Sequence, residues 1–287
     1  MITYNPKDWF TLIIQFHKSD TFRKLIPSML ALGVFSGLVV TADIYFYDWS
    51  FKNSSIVHSI LGFALSMLLV FRTNTAYERW WEGRKAWGDA VNNSRNFILK
   101  INAFVKNATS KKELASLIIN YNYILKNHLR AKEATYVAPH LPKELLDELS
   151  TASHKPNVVA KHLYAKINSL FLNKEIGDTQ LLLLNDEARS FTNICGICER
   201  IKNTPIPYSY NLFLKKIIFL YVFTIPFMFG PDFRYATIAV SMAILYVFAS
   251  IELIAEEIED PFGEDDNDLP LDDICDRIET NLNEIIK

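Results

Sequence analysis

The densest chemistry in this 287-residue sequence is the acidic run Glu264, Asp265, Asp266 and Asp268, directly after Gly263. Calcium takes six to eight oxygen ligands, and a loop so rich in carboxylates offers them, although the spacing is not that of an EF-hand. The plainer reading is a solvated acidic turn that caps the helix after it. Phe63, Met67 and Phe71 stand four apart, on one face of a helix. A ring of such side chains from several subunits makes a constriction that gates by dewetting. The same spacing also reads as ordinary apolar packing on a membrane helix. Arg79, Trp80, Trp81, Glu82 and Arg84 follow, and tryptophan beside arginine is first of all an interface anchor.

Other reactive residue types point less far. Cys195-Gly-Ile-Cys198 is a single pair with no second pair at zinc spacing, so it reads as buried small residues on a helix. His58 titrates near neutral pH, and an interfacial histidine is its plainer reading. Glu252 is an ionisable group at membrane depth, expected to contact Lys215 or Lys216. Leu181, in the run Leu181–Leu184, is either a constriction of a pore or a core leucine. No phosphate-binding loop, zinc motif or nucleophile elbow occurs, which leaves no source of energy or catalysis.

These residues are positioned by four hydrophobic stretches. A bilayer core takes roughly 20 apolar residues in a helix. The first stretch is Ile26–Ile44, with Arg23 and Lys24 before it and Tyr45, Phe46, Tyr47 and Trp49 after it. The second is Ile56–Phe71, followed by Arg72, Arg79, Arg84 and Lys85. The third is Ile217–Phe229, preceded by Lys215 and Lys216, and Pro226 is expected to bend or end it. The fourth is Tyr235–Ile254. The second and third are short for helices that face lipid alone, which suits an interior position. Basic residues cluster on one side, so both termini and the polar middle of the chain are expected in the cytosol.

Composition narrows the class. The chain is 50% hydrophobic, but its apolar residues collect toward the two ends. The formal net charge of -2 gives no pull toward nucleic acid. Three cysteines make no disulfide framework, and nine glycines argue against a β-rich or nucleotide-binding fold. No cleavable signal peptide is read at the N-terminus. Trp9–Phe16 is too short to span a bilayer and suits an interface. Helical spacing is read over Lys111–Arg130, Val158–Leu172 and Asp178–Lys202, with Asp178 as N-cap. In the last helix Leu271, Ile274, Ile278, Leu282 and Ile285 share a face after Pro270. The expected fold class is all-α. Its parts are residues 1–91 with spans 1 and 2, 92–210 as a polar helical region, 211–258 with spans 3 and 4, and 259–287 as acidic loop and final helix.

Three segments together resemble the bestrophin family in its bacterial branch: Phe71–Gly88 (FRTNTAYERWWEGRKAWG), Thr204–Tyr210 (TPIPYSY) and Glu259–Asp273 (EDPFGEDDNDLPLDD). Their order and spacing extend the resemblance over nearly the whole chain. It implies a homopentameric, passive ion channel, not an enzyme, with one central pore across the plasma membrane, the inner membrane of a bacterium. Phe63, Met67 and Phe71 then fall on the neck positions of the family, where Met67 departs from the usual isoleucine or phenylalanine. Arg79, Trp80, Trp81 and Glu82 support that neck, and Leu181 marks a second constriction. In animal members the acidic loop is a calcium clasp. Glu264, Asp265 and Asp268 match its side chains, and the backbone of Glu257 and Asp260 completes it. Asp260 stands where asparagine is usual. No cofactor is required in bacterial members. Animal members are calcium-activated chloride channels and bacterial members conduct sodium or other cations, so cation selectivity is expected here and anion selectivity is the alternative. The implied partners are further copies of the chain, monovalent ions and the lipid bilayer. A membrane enzyme and a pore-less scaffold are the rival classes.

Overall fold

A computed structural model describes residues 21–47, 54–132, 141 and 143–287. Trp9–Phe16 and Trp49 lie outside the described residues. Every regular element among the described residues is helical. The helices are α1 (Thr21–Ala42), α2 (Ser54–Phe104), α3 (Ala108–Leu129), α4 (Lys143–Thr151), α5 (Lys155–Leu172), α6 (Asp178–Asn203), α7 (Tyr208–Phe233), α8 (Ala236–Glu259) and α9 (Leu271–Ile286). A π-helical turn, Asp43–Tyr47, extends α1. Four of these helices are long and apolar enough to cross a membrane: α1, α2, α7 and α8. The chain is thus an all-α protein with four apolar spans.

The helices sort into two compact units. The membrane unit holds the described residues up to Arg79 together with Pro205–Glu259. The polar unit holds Trp80–Thr204 and Asp260–Lys287. The division falls inside α2, a single helix of 51 residues. Hydropathy alone ends this helix at Phe71. The backbone continues because the polar stretch after it contains no proline and only isolated glycines, which weaken a helix without breaking it.

In the membrane unit α1 lies against α8 through small residues. A Cβ on Gly33 would meet Met242 Sδ at 2.9 Å, so a larger residue there has to push that flexible side chain aside. Ser36 and Ser241 share a buried hydroxyl hydrogen bond of 2.8 Å in the same seam. Such pairs satisfy polar groups where no water is at hand. Helix α7 corrects the sequence reading twice. It is 26 residues long, ample for a bilayer, and it runs through both Pro226 and Pro231. Proline inside a membrane helix removes one backbone bond, and neighbouring groups can meet the freed carbonyl, so the helix need not stop.

The polar unit is built around α3, which is buried almost throughout from Leu114 to Asn127. Asn107 starts it: its side-chain oxygen accepts from the Thr109 and Ser110 amides at 2.9 and 3.4 Å. Its core draws Trp87, Phe97 and Ile101 from α2, Val159 and Leu163 from α5, Phe191 and Cys198 from α6, and Ile278 and Leu282 from α9. Helix α9 starts at Leu271 behind Pro270, with Leu271, Ile278 and Leu282 buried as the heptad-like spacing requires. Helix α6 starts one residue earlier than expected. Gly177, not Asp178, is the N-cap, and Gln180 Oε1 accepts from its amide at 2.8 Å.

Candidate pore neck and its supporting clusters

The membrane part of α2 has two opposite stripes. Leu65, Leu69, Arg72 and Ala76 recur every three or four residues and are fully buried against their own unit. Phe63, Met67 and Phe71 lie on the other side and are 69%, 46% and 58% exposed. The helix therefore spends its packing face on α7 and α8 and leaves a row of large apolar side chains uncovered. One helix turn beyond Phe71 the same stripe reads Asn74 and then Glu78, both exposed. Glu78 was not singled out from sequence. Its signal was available, because it follows Phe71 by seven residues and so returns to the same face.

Behind the uncovered stripe sits a buried ionic knot. The Arg72 side chain has no exposure, and its Nη2 donates to Glu259 Oε2 at 2.6 Å. Glu252 Oε2 lies 3.6 Å from Arg72 Nε. Glu259 Oε1 also accepts the Ile206 amide at 2.7 Å, and the Glu259 carbonyl accepts from Arg79 Nε at 3.0 Å. Two readings from sequence are corrected here. Arg72 is not a flanking charge at the membrane surface; it is the cation of a buried network. Glu252 does not seek Lys215 or Lys216: it is buried beside Arg72, while Lys215 bonds Glu256 at 3.0 Å. His58 is covered by its own unit rather than exposed. It is buried, stacked on Tyr221 with ring centroids 4.0 Å apart.

In the polar unit the tryptophan cluster is tied to the acidic loop. Trp80 Nε1 donates to the Asn267 carbonyl at 3.0 Å, and Glu82 pairs with Arg200. Arg84 lies 5.9 Å over the Trp81 ring. Gly83 faces Phe262, whose ring would stand 3.1 Å from a Cβ built there. Residues 260–270 close on themselves: Asp268 Oδ2 accepts the Asp265 amide at 2.7 Å, and the Leu269 amide donates to the Pro261 carbonyl at 3.0 Å. Glu264 faces two cations, Lys132 at 2.5 Å and Arg130 at 3.5 Å. Arg130 also donates to the Phe262 carbonyl at 3.2 Å. Glu257 belongs to the membrane unit, where its side chain pairs with Lys24. Leu181 is half-buried and packs on the polar core, whereas its neighbour Leu182 is 71% exposed.

Asp272 accepts from Lys126 Nζ at 2.7 Å and from Arg130 Nη1 at 2.8 Å. Burial pushes its carboxyl up, but the two cationic donors outweigh that and hold it at about 2. A carboxyl depressed on folding stabilises the protein above its unfolded value and loses that contribution as pH falls through the folded one. Acid titration from pH 5 to pH 2 is therefore expected to cost the wild type up to ~1 kcal/mol more than Asp272→Asn, the figure being held down by solvent screening. Urea unfolding at each pH reads it. Cys195 and Cys198 are both buried. Burial, and then the charge of Glu199, pushes the Cys195 thiol up to about 12, and the Cys198 thiol goes higher. Both stay protonated at neutral pH, in keeping with small buried residues rather than a reactive pair.

The chain matches the family described as Bacterial/Fungal Bestrophin protein over residues 1–284. It is 32% identical to the voltage-dependent anion channel-forming protein YneE of Escherichia coli (strain K12), over 98% of this chain and 93% of that one. It is 34% identical to the voltage-dependent anion channel-forming protein sll1024 of Synechocystis, over 99% and 93%. Its fold superposes on a crystal structure of a bacterial bestrophin homologue from Klebsiella pneumoniae with a TM-score of 0.85, at 28% identity, covering 91% of this chain and 98% of that one. A family match of this extent, agreement with a solved bestrophin fold, and four apolar spans leave one assignment: the chain belongs to the bestrophin family of channel-forming membrane proteins.

Proposed function

We propose that this protein is a passive channel for small monovalent ions, assembled as a homopentamer with Phe63, Met67 and Phe71 lining its neck. The observation that carries the reading is the uncovered apolar stripe of α2, set opposite the buried seam of the same helix. Around a cyclic axis each copy presents the same stripe to the centre, which turns three side chains into three stacked apolar rings. The buried Arg72–Glu259 pair supports this stripe from behind, with Arg79, Trp80, Trp81 and Glu82 further along the helix. The second constriction fits the exposed Leu182 better than the half-buried Leu181. Plasma-membrane placement with both termini in the cytosol follows from the basic flanks.

Cation selectivity is the reading favoured by charge. The first ionised group on the stripe past the apolar rings is Glu78, and five copies of it make an acidic ring, whereas Arg72 is turned away and buried. The anion reading is favoured by the names of the relatives, which are called anion channel-forming. A planar bilayer with purified protein across an NaCl gradient separates the two. A reversal potential near that of sodium supports the cation reading, one near that of chloride establishes the alternative, and absence of current overturns the channel. For a cation channel, Glu78→Gln is expected to lower the sodium-to-chloride permeability ratio by ~3-fold or more while leaving the neck intact.

The acidic loop is read as an ion-paired clasp that works without calcium. Six to eight oxygens are needed for that ion. Here Glu264 is engaged by Lys132 and Arg130, Asp268 holds the Asp265 amide, and the Arg130 guanidinium lies among the carboxylates. This pairing draws Glu264 away from a calcium ligand set, and two basic side chains supply charge beside it.

A further inference from the structure

We propose that His128, His154 and Glu199 form a binding site in the polar unit for one borderline divalent cation, zinc in the first instance. The three side chains come from three elements: the last turn of α3, the N-cap of α5 and the C-terminal part of α6. His128 Nε2 and His154 Nε2 lie 2.7 and 2.8 Å from the same oxygen, Glu199 Oε1. All three ligand atoms fall within 4.8 Å of one another. The two imidazole rings stand 4.8 Å apart, tilted at 43°. The side chains are partly exposed, so an ion and a water molecule can reach them.

Two neutral imidazoles and one carboxylate suit zinc and the late first-row metals, and do not suit calcium or magnesium, which prefer oxygen throughout. Three protein ligands leave the fourth tetrahedral position to water. Zinc at about 2.0–2.2 Å from each ligand spaces the ligand atoms ~3.4 Å apart. The two nitrogen-to-oxygen separations are shorter than this, so the Glu199 carboxylate draws back from the imidazoles to admit the ion. Among the described residues no cysteine joins this group, so the set is three ligands.

The protons also have a place to go. His154 Nδ1 accepts the Asn157 amide at 3.2 Å as the N-cap of α5, which puts the ring proton on Nε2, facing Glu199. Ligation through Nε2 shifts the ring proton to Nδ1, which gives up the capping bond and perturbs the Asn157 amide. Protons compete with the metal for the same nitrogens, so binding is weaker at acid pH. In return the ion adds a cross-link between three helices that already share the polar core.

The test uses full-length protein in detergent micelles, stripped with a chelator and titrated with Zn²⁺ by calorimetry and with Co²⁺ by visible absorption. The expected result is one Zn²⁺ per subunit at micromolar affinity or better, with the intense bands of tetrahedral Co²⁺. Glu199→Gln and His154→Asn are each expected to weaken Zn²⁺ binding by at least ~100-fold. Asparagine keeps a side-chain acceptor at the N-cap, so His154→Asn decides the matter on a folded protein even where Glu199→Gln does not fold. Wild-type protein that takes up no Zn²⁺ at micromolar concentration, or a folded His154→Asn weakened by less than ~10-fold, overturns the site and leaves a hydrogen-bonded histidine pair.

Discussion

Replacing Phe63, Met67 and Phe71 together with alanine is expected to raise unitary current by at least ~10-fold while the protein melts close to the wild-type temperature. The two halves of the expectation come from the same geometry. Large apolar rings exclude water from a narrow neck, and an ion that must cross without hydration meets a barrier. Removing about 1.4 kcal/mol of that barrier is already tenfold in rate. Alanine widens the neck and wets it. The stripe is exposed on its own unit, whereas the helix packs through Leu65 and Leu69 on the far side. Truncation there creates no cavity, in contrast to the ~2–5 kcal/mol that each such change costs in a packed core. Unchanged current in a well-folded triple variant would remove the neck from these residues. A large fall in melting temperature would instead show that they pack inside the subunit.

How much of this was legible in the sequence depends on the range of the interaction that decides each feature. The spans were legible because hydropathy is a property of consecutive residues. The last helix was read to its ends, since Pro270 blocks extension backward and Leu271, Ile278 and Leu282 recur on one face. The start of α6 was missed by one residue because an N-cap is set by backbone conformation, and Gly177 carries no side chain to announce it. The length of α2 was missed because its hydropathy and its backbone end at different places. The continuation of α7 through Pro231 to Phe233 was missed because the third span was read to stop at Phe229 and proline was judged as it behaves in water.

The candidate site divides the same way. The face shared by Phe63, Met67 and Phe71 follows from helical spacing, and Glu78 would have followed from carrying the spacing two turns further. Arg72 does not follow. In sequence it is one of several basic residues after a span, and it was counted as such. Only the fold brings it to Glu259, 187 positions away. His128, His154 and Glu199 are likewise scattered, with 71 positions between the first and the last. A search for metal ligands by short spacing looks at Cys195 and Cys198, which prove to be core residues, and passes over the group that actually converges.

Arg72→Met is expected to destabilise the protein by ~3–5 kcal/mol, the cost of breaking a buried ion pair from one side. Methionine fills much of the volume, so the loss is not chiefly a cavity. It arises because Glu252 and Glu259 remain at positions with almost no access to water, and the only cation within 4 Å of both among the described residues is gone. Neutralising the anions reverses most of the effect: Arg72→Met with Glu252→Gln and Glu259→Gln recovers stability toward the wild type, since a buried ionic network and a neutral replacement of similar volume are often close in energy. Glutamine at 259 still offers an oxygen to the Ile206 amide. Thermal or denaturant unfolding in detergent reads both variants. An Arg72→Met protein that unfolds like the wild type, or a triple variant no better than the single, would mean that water reaches the carboxylates and the knot is not dry. The functional consequence follows from position. Arg72 sits one residue after Phe71 and faces the other way, so the contact that anchors α2 to α8 also fixes which way the neck side chains point. Loosening it is expected to broaden the distribution of unitary currents even at temperatures where the subunit stays folded.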